Sequence, residues 1–136
     1  TLKPDTAPPQ AVAKSTKWHA LAHESIAASV EAGIKVAVGT DAGLVPDHGA
    51  TLEELGCLVK FGGMTPMQAI VAGTRTSAEL CGVEDKLGTL EAGKLADVVV
   101  VKGDPLANIE SLANHDNILL VLKEGKAASN RGGYAV

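Results

Sequence analysis

One succession in this sequence constrains the fold more than any other: a long helical pattern, a glycine, a short aliphatic run and a glycine-rich loop. From Ala11 to Ala32, Trp18, Leu21, Ile26 and Val30 fall near one helical face, with Lys14, Lys17, His23 and Glu24 spread around it. Gly33 then supplies a residue that tolerates the left-handed backbone on which helices end. Residues Ile34 to Val38 include the β-branched Ile34, Val36 and Val38 and are apolar apart from Lys35, which predicts a buried strand. A helix, a glycine and a buried strand form one α-to-β step of a parallel sheet, so the fold class is α/β. A closed eight-stranded α/β barrel takes about 250 residues. This chain has 136, too few to close one alone.

Further along, Thr51 to Glu54 has capping-box spacing, and Leu52, Leu55, Leu58 and Val59 continue as a helix until Gly62 and Gly63. Thr65 and Pro66 restart a helix with a cap residue and a proline at its first position. Gly73 and Thr74 are expected to interrupt it, and Thr76 to Cys81 to form one more short helix ended by Gly82. The character then changes. Leu87 to Gly93 reads as two glycine turns around an extended piece, and Asp97 to Val101 as a dense β-branched strand. Gly103, Asp104 and Pro105 make a turn. Ile118 to Leu122 is a second strand, Glu124-Gly125 a two-residue hairpin turn, and Lys126 to Ala128 a weaker third strand. The expected organisation is an α/β part over residues 1–82, a mainly β part over 83–130, and a tail at 131–136.

Composition narrows the function classes. Trp18, Phe61 and Tyr134 are the only aromatic residues, so any core must be aliphatic. With 12 basic and 16 acidic side chains the net charge is −4, and no basic cluster is present to hold a nucleic acid. No apolar run approaches the ~18 residues that span a bilayer, so no membrane partner is expected. Cys57 and Cys81 lack CxxC spacing and fall in apolar helical stretches, which predicts buried free thiols in a reducing, cytoplasmic setting. The sequence begins at Thr1 rather than methionine, which leads us to expect a segment of a longer protein that could carry an N-terminal address.

Asp41 is the first candidate for chemistry. It follows the predicted strand, where ligands bind in α/β folds. On residue type alone, an aspartate between Thr40 and Ala42 also reads as a turn former. Gly39 would let a ligand approach the backbone, and His48 adds a second titratable side chain in the same loop.

At this point the sequence resembles a known family. Gly39-Thr40-Asp41-Ala42-Gly43, with His48-Gly49 beyond it, resembles the eighth-strand motif of the amidohydrolase superfamily. The segments from Gly63 to Ile70, Thr74 to Leu80, and Lys86 to Asp97 into Val98–Val101 and Gly103–Pro105 continue the likeness in order. It is greatest to the imidazolonepropionase-like and Xaa-Pro dipeptidase (prolidase)-like branch, and runs from Thr1 to about Lys126. The resemblance implies the C-terminal part of a (β/α)8 TIM-type barrel: the end of strand seven, helix seven at Ala11–Ala32, strand eight at Ile34–Val38 and the helices after it. Leu87–Ala128 would be the C-terminal share of a small β-sandwich.

The same resemblance implies hydrolysis of amide or peptide C–N bonds, in dipeptides or cyclic amides, by a metal-activated water. One or two divalent ions, usually zinc, would be held mostly by residues outside this chain. Asp41 would be both metal ligand and catalytic acid–base, and His48 would contact substrate; an exposed loop histidine is the plain alternative for His48. One carboxylate cannot assemble a site that needs about three protein ligands, so the chain alone is expected to be inactive. Its partners would be a small amide or dipeptide, and either the remainder of a parent chain or further copies of itself.

Two other readings stay open. The chain could be a non-catalytic scaffold that keeps the C-terminal part of the fold, in which case exposed strand edges predict oligomerisation. It could also be a small metalloprotein using His19, His23, Asp41 or His48. His19 and His23 share a helical face, yet the motif is HALAH rather than HExxH, and an outer barrel helix would hold them away from the site. Arg75 reads as a structural residue at a helix junction, Asp97 and Asp104 as turn formers, His115 as a loop residue without a role. Glu53, Glu54, Glu79 and Glu84 read as a solvated acidic face.

Overall fold

The computed structural model describes residues 8–40 and 49–136. Helix α1 spans Pro9–Glu31, close to the predicted bounds, and begins with proline at its first turn. Gly33, at φ +73°, ends it in the left-handed conformation. Helix α2 spans Glu53–Lys60 and carries Glu53 and Glu54 in its first turn, where the helix dipole favours acidic side chains. Its entry differs from the expected capping box. Leu52 has helical angles (φ −71°, ψ −17°), so the chain enters α2 through a 3-10 turn at Ala50–Leu52, and Thr51 caps nothing.

The capping box belongs to the next helix. In α3, Pro66–Val71, Thr65 is extended; its hydroxyl accepts from the Gln68 N–H while the Gln68 side chain accepts from the Thr65 N–H at 2.8 Å. Gly73 does not break the helix as expected. The backbone widens into a π turn at Ala72–Thr76 and runs on as α4, Ser77–Leu80. Gly73 is needed for closeness instead: a Cβ there would lie 2.9 Å from Leu55 Cδ2. The core is small and aliphatic. Leu55, Leu58, Ala69, Ala72, Ile109 and Leu112 form it, with Val36 and Val38 packed against its edge.

Residues 34–40 do not form the predicted strand. A strand needs a neighbour to close its ladder, and the described residues contain only one sheet, built elsewhere. Ile34 is 60% exposed, so this end of the segment is not buried either.

The sheet lies in the C-terminal part and is antiparallel in the order β1-β2-β3, with β1 at Val98–Val101, β2 at Ile118–Lys123 and β3 at Lys126–Asn130. Val99 faces Val121 and Leu120 faces Asn130 across its two ladders. The β2–β3 turn is the predicted Glu124-Gly125, with φ of +52° and +77°, the mirror-image turn that matches strand twist. Glutamate is strained at such an angle. Its N–H donates to Asp97 Oδ1 at 2.7 Å, and Lys123 Nζ donates to Asp97 Oδ2 at 2.9 Å, so one carboxylate staples the turn to the start of β1. Those donors hold the Asp97 carboxyl below its ordinary pKa, the backbone bond contributing most. Asp104 is the turn former expected of it, accepting from the Leu106 N–H at 2.9 Å. Cys57 and Cys81 are free but exposed, contrary to the expected burial; Cys81 falls just past the end of α4 rather than within it.

Candidate functional site

Asp41 and His48, the two predicted site residues, lie outside the described residues. The structure does define how the segment leading to them is held. Val38 and Val36 pack against the edge of the core, and the Val38 N–H donates to Ser77 Oγ at 3.2 Å. The Ser77 hydroxyl in turn donates to the Ala72 carbonyl at 2.8 Å. On the outer side, Lys35 Nζ meets Glu79 Oε2 at 2.7 Å, and Arg75 Nε reaches the other oxygen at 3.3 Å. Two cations, with the Lys35 hydrogen bond foremost, lower the Glu79 pKa below the ordinary carboxylate value. Glu79 is thus a tether rather than one more solvated acid, and Arg75 supports it from one turn earlier.

Gly49, the first described residue after position 48, is also held. A ring nitrogen of His115 lies 3.3 Å from the Gly49 carbonyl, and the His115 carbonyl accepts from Arg131 Nη1 at 2.8 Å. Sequence reasoning gave His115 no role, since nothing in a polar loop 66 positions away signals contact with Gly49. Ser77 was missed for a different reason. Its spacing from Ala72 matches no regular helical pattern, and only the π turn makes the bond.

The histidine pair on α1 is organised without a third donor. The His19 and His23 ring centroids are 5.9 Å apart, and His23 stacks on Phe61 at 3.8 Å with the rings nearly parallel, 3° apart. Among the described residues no three His, Cys, Asp or Glu side chains are grouped to hold a metal ion. Cys57 is no better placed as a nucleophile, because partial burial, then Glu54 and Glu53, push its thiol pKa up.

A hollow of about 710 Å³ separates the helices from the sheet, lined by Val38, Leu55, Ile70, Ala78, Leu95 and Val99 among others. That lining is mainly aliphatic, with Thr51, Thr74, Ser77, Thr89 and Asp97 spaced around it. It suits side chains of another polypeptide layer better than a polar substrate, which needs convergent hydrogen-bonding groups. No helix of the described residues is long and apolar enough to cross a membrane.

Comparison with known proteins agrees with the sequence motifs. Residues 19–128 match the Amidohydrolase family, and the chain belongs to that family. It is 34% identical over 120 residues to ochratoxinase from Aspergillus niger, covering 85% of this chain and 24% of that protein. It is 32% identical over 108 residues to imidazolonepropionase from Geobacillus kaustophilus, covering 76% of this chain and 24% of that one. Among solved structures, a Xaa-Pro dipeptidase with bound methionine in the active site superposes with a TM-score of 0.72 at 40% identity, over 79% of this chain and 25% of that chain. The chain therefore spans about a quarter of the length of the relatives it matches. The described helices and small antiparallel sheet are α/β structure of the amidohydrolase kind.

Proposed function

We propose that this chain is the C-terminal quarter of a metal-dependent hydrolase that cleaves amide or peptide C–N bonds in small molecules, dipeptides or cyclic amides. The observation that carries the reading is the family match over residues 19–128, with relatives whose names are amide and peptide hydrolases. In this reading helix α1 and residues 34–40 are the seventh helix and eighth strand of a (β/α)8 barrel, and β1–β3 are one share of a sandwich. The exposed surface supports a need for further polypeptide. The chain presents 9422 Å², where a compact monomer of its mass presents about 6,600 Å².

In this reading, as the family resemblance implies, Asp41 is the ligand this chain contributes and the remaining donors come from elsewhere. A divalent ion held there, zinc in the first instance, would supply a water acidic enough to ionise near neutral pH. Asp41 would carry a proton on its carboxylate and return it to the leaving nitrogen, a task suited to a carboxylate kept ionised by neighbouring positive charge. His48 contacts the substrate carboxylate or carbonyl.

The test is Asp41→Asn in the complete enzyme. Asparagine keeps the shape but cannot carry a proton, so kcat falls by about 10²–10⁴ while the unfolding transition stays put. Turnover within a few fold of the parent would remove Asp41 from the mechanism.

The excess surface also favours a second reading, a scaffold whose apolar faces are covered by copies of itself. A stable, inactive oligomer of the complete natural protein would decide for it.

A further inference from the structure

Residues 34–40 have no strand neighbour among the described residues, so the position of this segment along the helices must be set by other contacts. At its start the Ile34 N–H donates to the Ser29 carbonyl at 3.0 Å, and further along Ser77 is a side chain that meets its backbone. A hydroxyl donates one hydrogen bond and accepts others, and this one bridges two elements, donating to the Ala72 carbonyl and accepting from the Val38 N–H. In a regular helix a serine bonds back to a carbonyl three or four residues earlier. The π turn at Ala72–Thr76 lets Ser77 reach the carbonyl five residues back and leaves its lone pair aimed across the helix at Val38. Gly73 lies beside the same contact: a Cβ there would overlap Leu55 Cδ2 at 2.9 Å and come into ordinary contact with Val38 Cγ2 at 3.5 Å. π turns inside helices are frequent at functional sites, and this one faces the backbone that runs directly into Asp41.

We infer that Ser77 is a positioning residue for the proposed hydrolysis, acting through the Val38 amide to fix the backbone that precedes Asp41. The inference rests on the assignment of Asp41 as the acid–base group. The expected signature is a loss in kcat rather than in KM, because the substrate's own contacts are left in place while the proton carrier is displaced. A misplacement of about 1 Å can cost up to about a hundredfold in rate.

The experiment compares Ser77→Ala, Ser77→Cys and Ser77→Thr with Asp41→Asn in the complete enzyme. Ser77→Ala removes the acceptor, and kcat falls about tenfold or more with KM within about twofold. Ser77→Thr keeps the hydroxyl and restores kcat to near the parent value; Ser77→Cys, a weaker acceptor, lies between. Amide hydrogen exchange at Val38 in the same proteins speeds up in the alanine variant and not in the threonine variant. If Ser77→Ala fails to fold, the cysteine and threonine variants carry the same comparison. A parent-like kcat in Ser77→Ala, or in Ser77→Cys should the alanine variant not fold, overturns the role of Ser77 provided Asp41→Asn is inactive. So does a change in KM alone. Turnover that survives Asp41→Asn instead overturns the underlying mechanism and, with it, the catalytic consequence of Ser77, while Val38 exchange still reports whether the bond holds the segment.

Discussion

Helices α1 and α3 form for opposite reasons. The first runs 23 residues and buries none of them, leaving Trp18 58% and Leu21 42% exposed; the second runs six and holds Ala69 at 0% exposure. A helix of α1's length, rich in alanine, can be sustained by its own propensity. A six-residue helix cannot, and α3 exists because Thr65 and Gln68 cap it and the core closes over it. Burial, not length, therefore locates the stability of this chain: α1 reaches the core through Ile26, while Trp18 and Leu21 on the same helix stay largely exposed.

Removing core volume breaks this contrast most directly. Leu55→Ala is expected to destabilise the chain by about 2–5 kcal/mol, whereas Trp18→Ala changes it by less than about 0.5 kcal/mol. Chemical unfolding of the two variants checks this, and equal losses would erase the distinction between the helices. In a longer protein whose further residues cover Trp18, the Trp18→Ala cost should rise.

Gly88→Ala comes next. Gly88 sits at φ +91°, and a Cβ would come 2.6 Å from Ala78 Cβ and 3.1 Å from the Thr74 carbonyl oxygen. The strained backbone and the overlap with α4 together predict a loss of about 1–3 kcal/mol. A neutral Gly88→Ala in thermal unfolding would mean that the loop does not rest on the helix.

The smallest effect separates the sheet from the core by pH. The core has no buried polar or charged side chain among the described residues, while the β2–β3 turn depends on ionised Asp97. Because the Asp97 pKa is lowered in the folded state, its contribution is present above the unfolded value of about 3.9 and disappears as pH falls through the lower folded value. Hairpin amide resonances should hold steady from neutral pH down to about 5 and shift selectively below about 4. Asp97→Asn should abolish that selective shift; if the shift persists, another group stabilises the turn.

Much of this architecture was legible in the sequence because the signals were local. Gly33 after an apolar helix, Thr65-Pro66, the valine run and Glu124-Gly125 each specify their structure within a few residues, and each forms as expected. What failed depended on partners elsewhere. Ile34–Val38 has a strand's composition but no neighbour among the described residues to pair with. Thr51–Glu54 has a cap's spacing but helical angles ahead of it. Gly73 has a breaker's identity but is used for contact with Leu55. The family motif around Asp41 was legible; Ser77 on the Val38 N–H, His115 on the Gly49 carbonyl and Glu79 on the Lys35 side chain carried no sequence signal because their contacts bridge distant segments.

The π turn at Ala72–Thr76 has a consequence for tolerance to deletion. Each residue advances a helix by about 100°, so the extra residue in this turn sets the phase of everything after it. Ala69 and Ala72 look toward the core on one side of the turn, and Ala78 meets the Gly88 loop on the other. Deleting one residue within it would restore a regular helix and improve local geometry, yet rotate Ser77, Ala78 and Glu79 together away from their three separate partners. The irregular turn is the gearing that lets one helix engage the core, the Val38 backbone and the Gly88 loop at once.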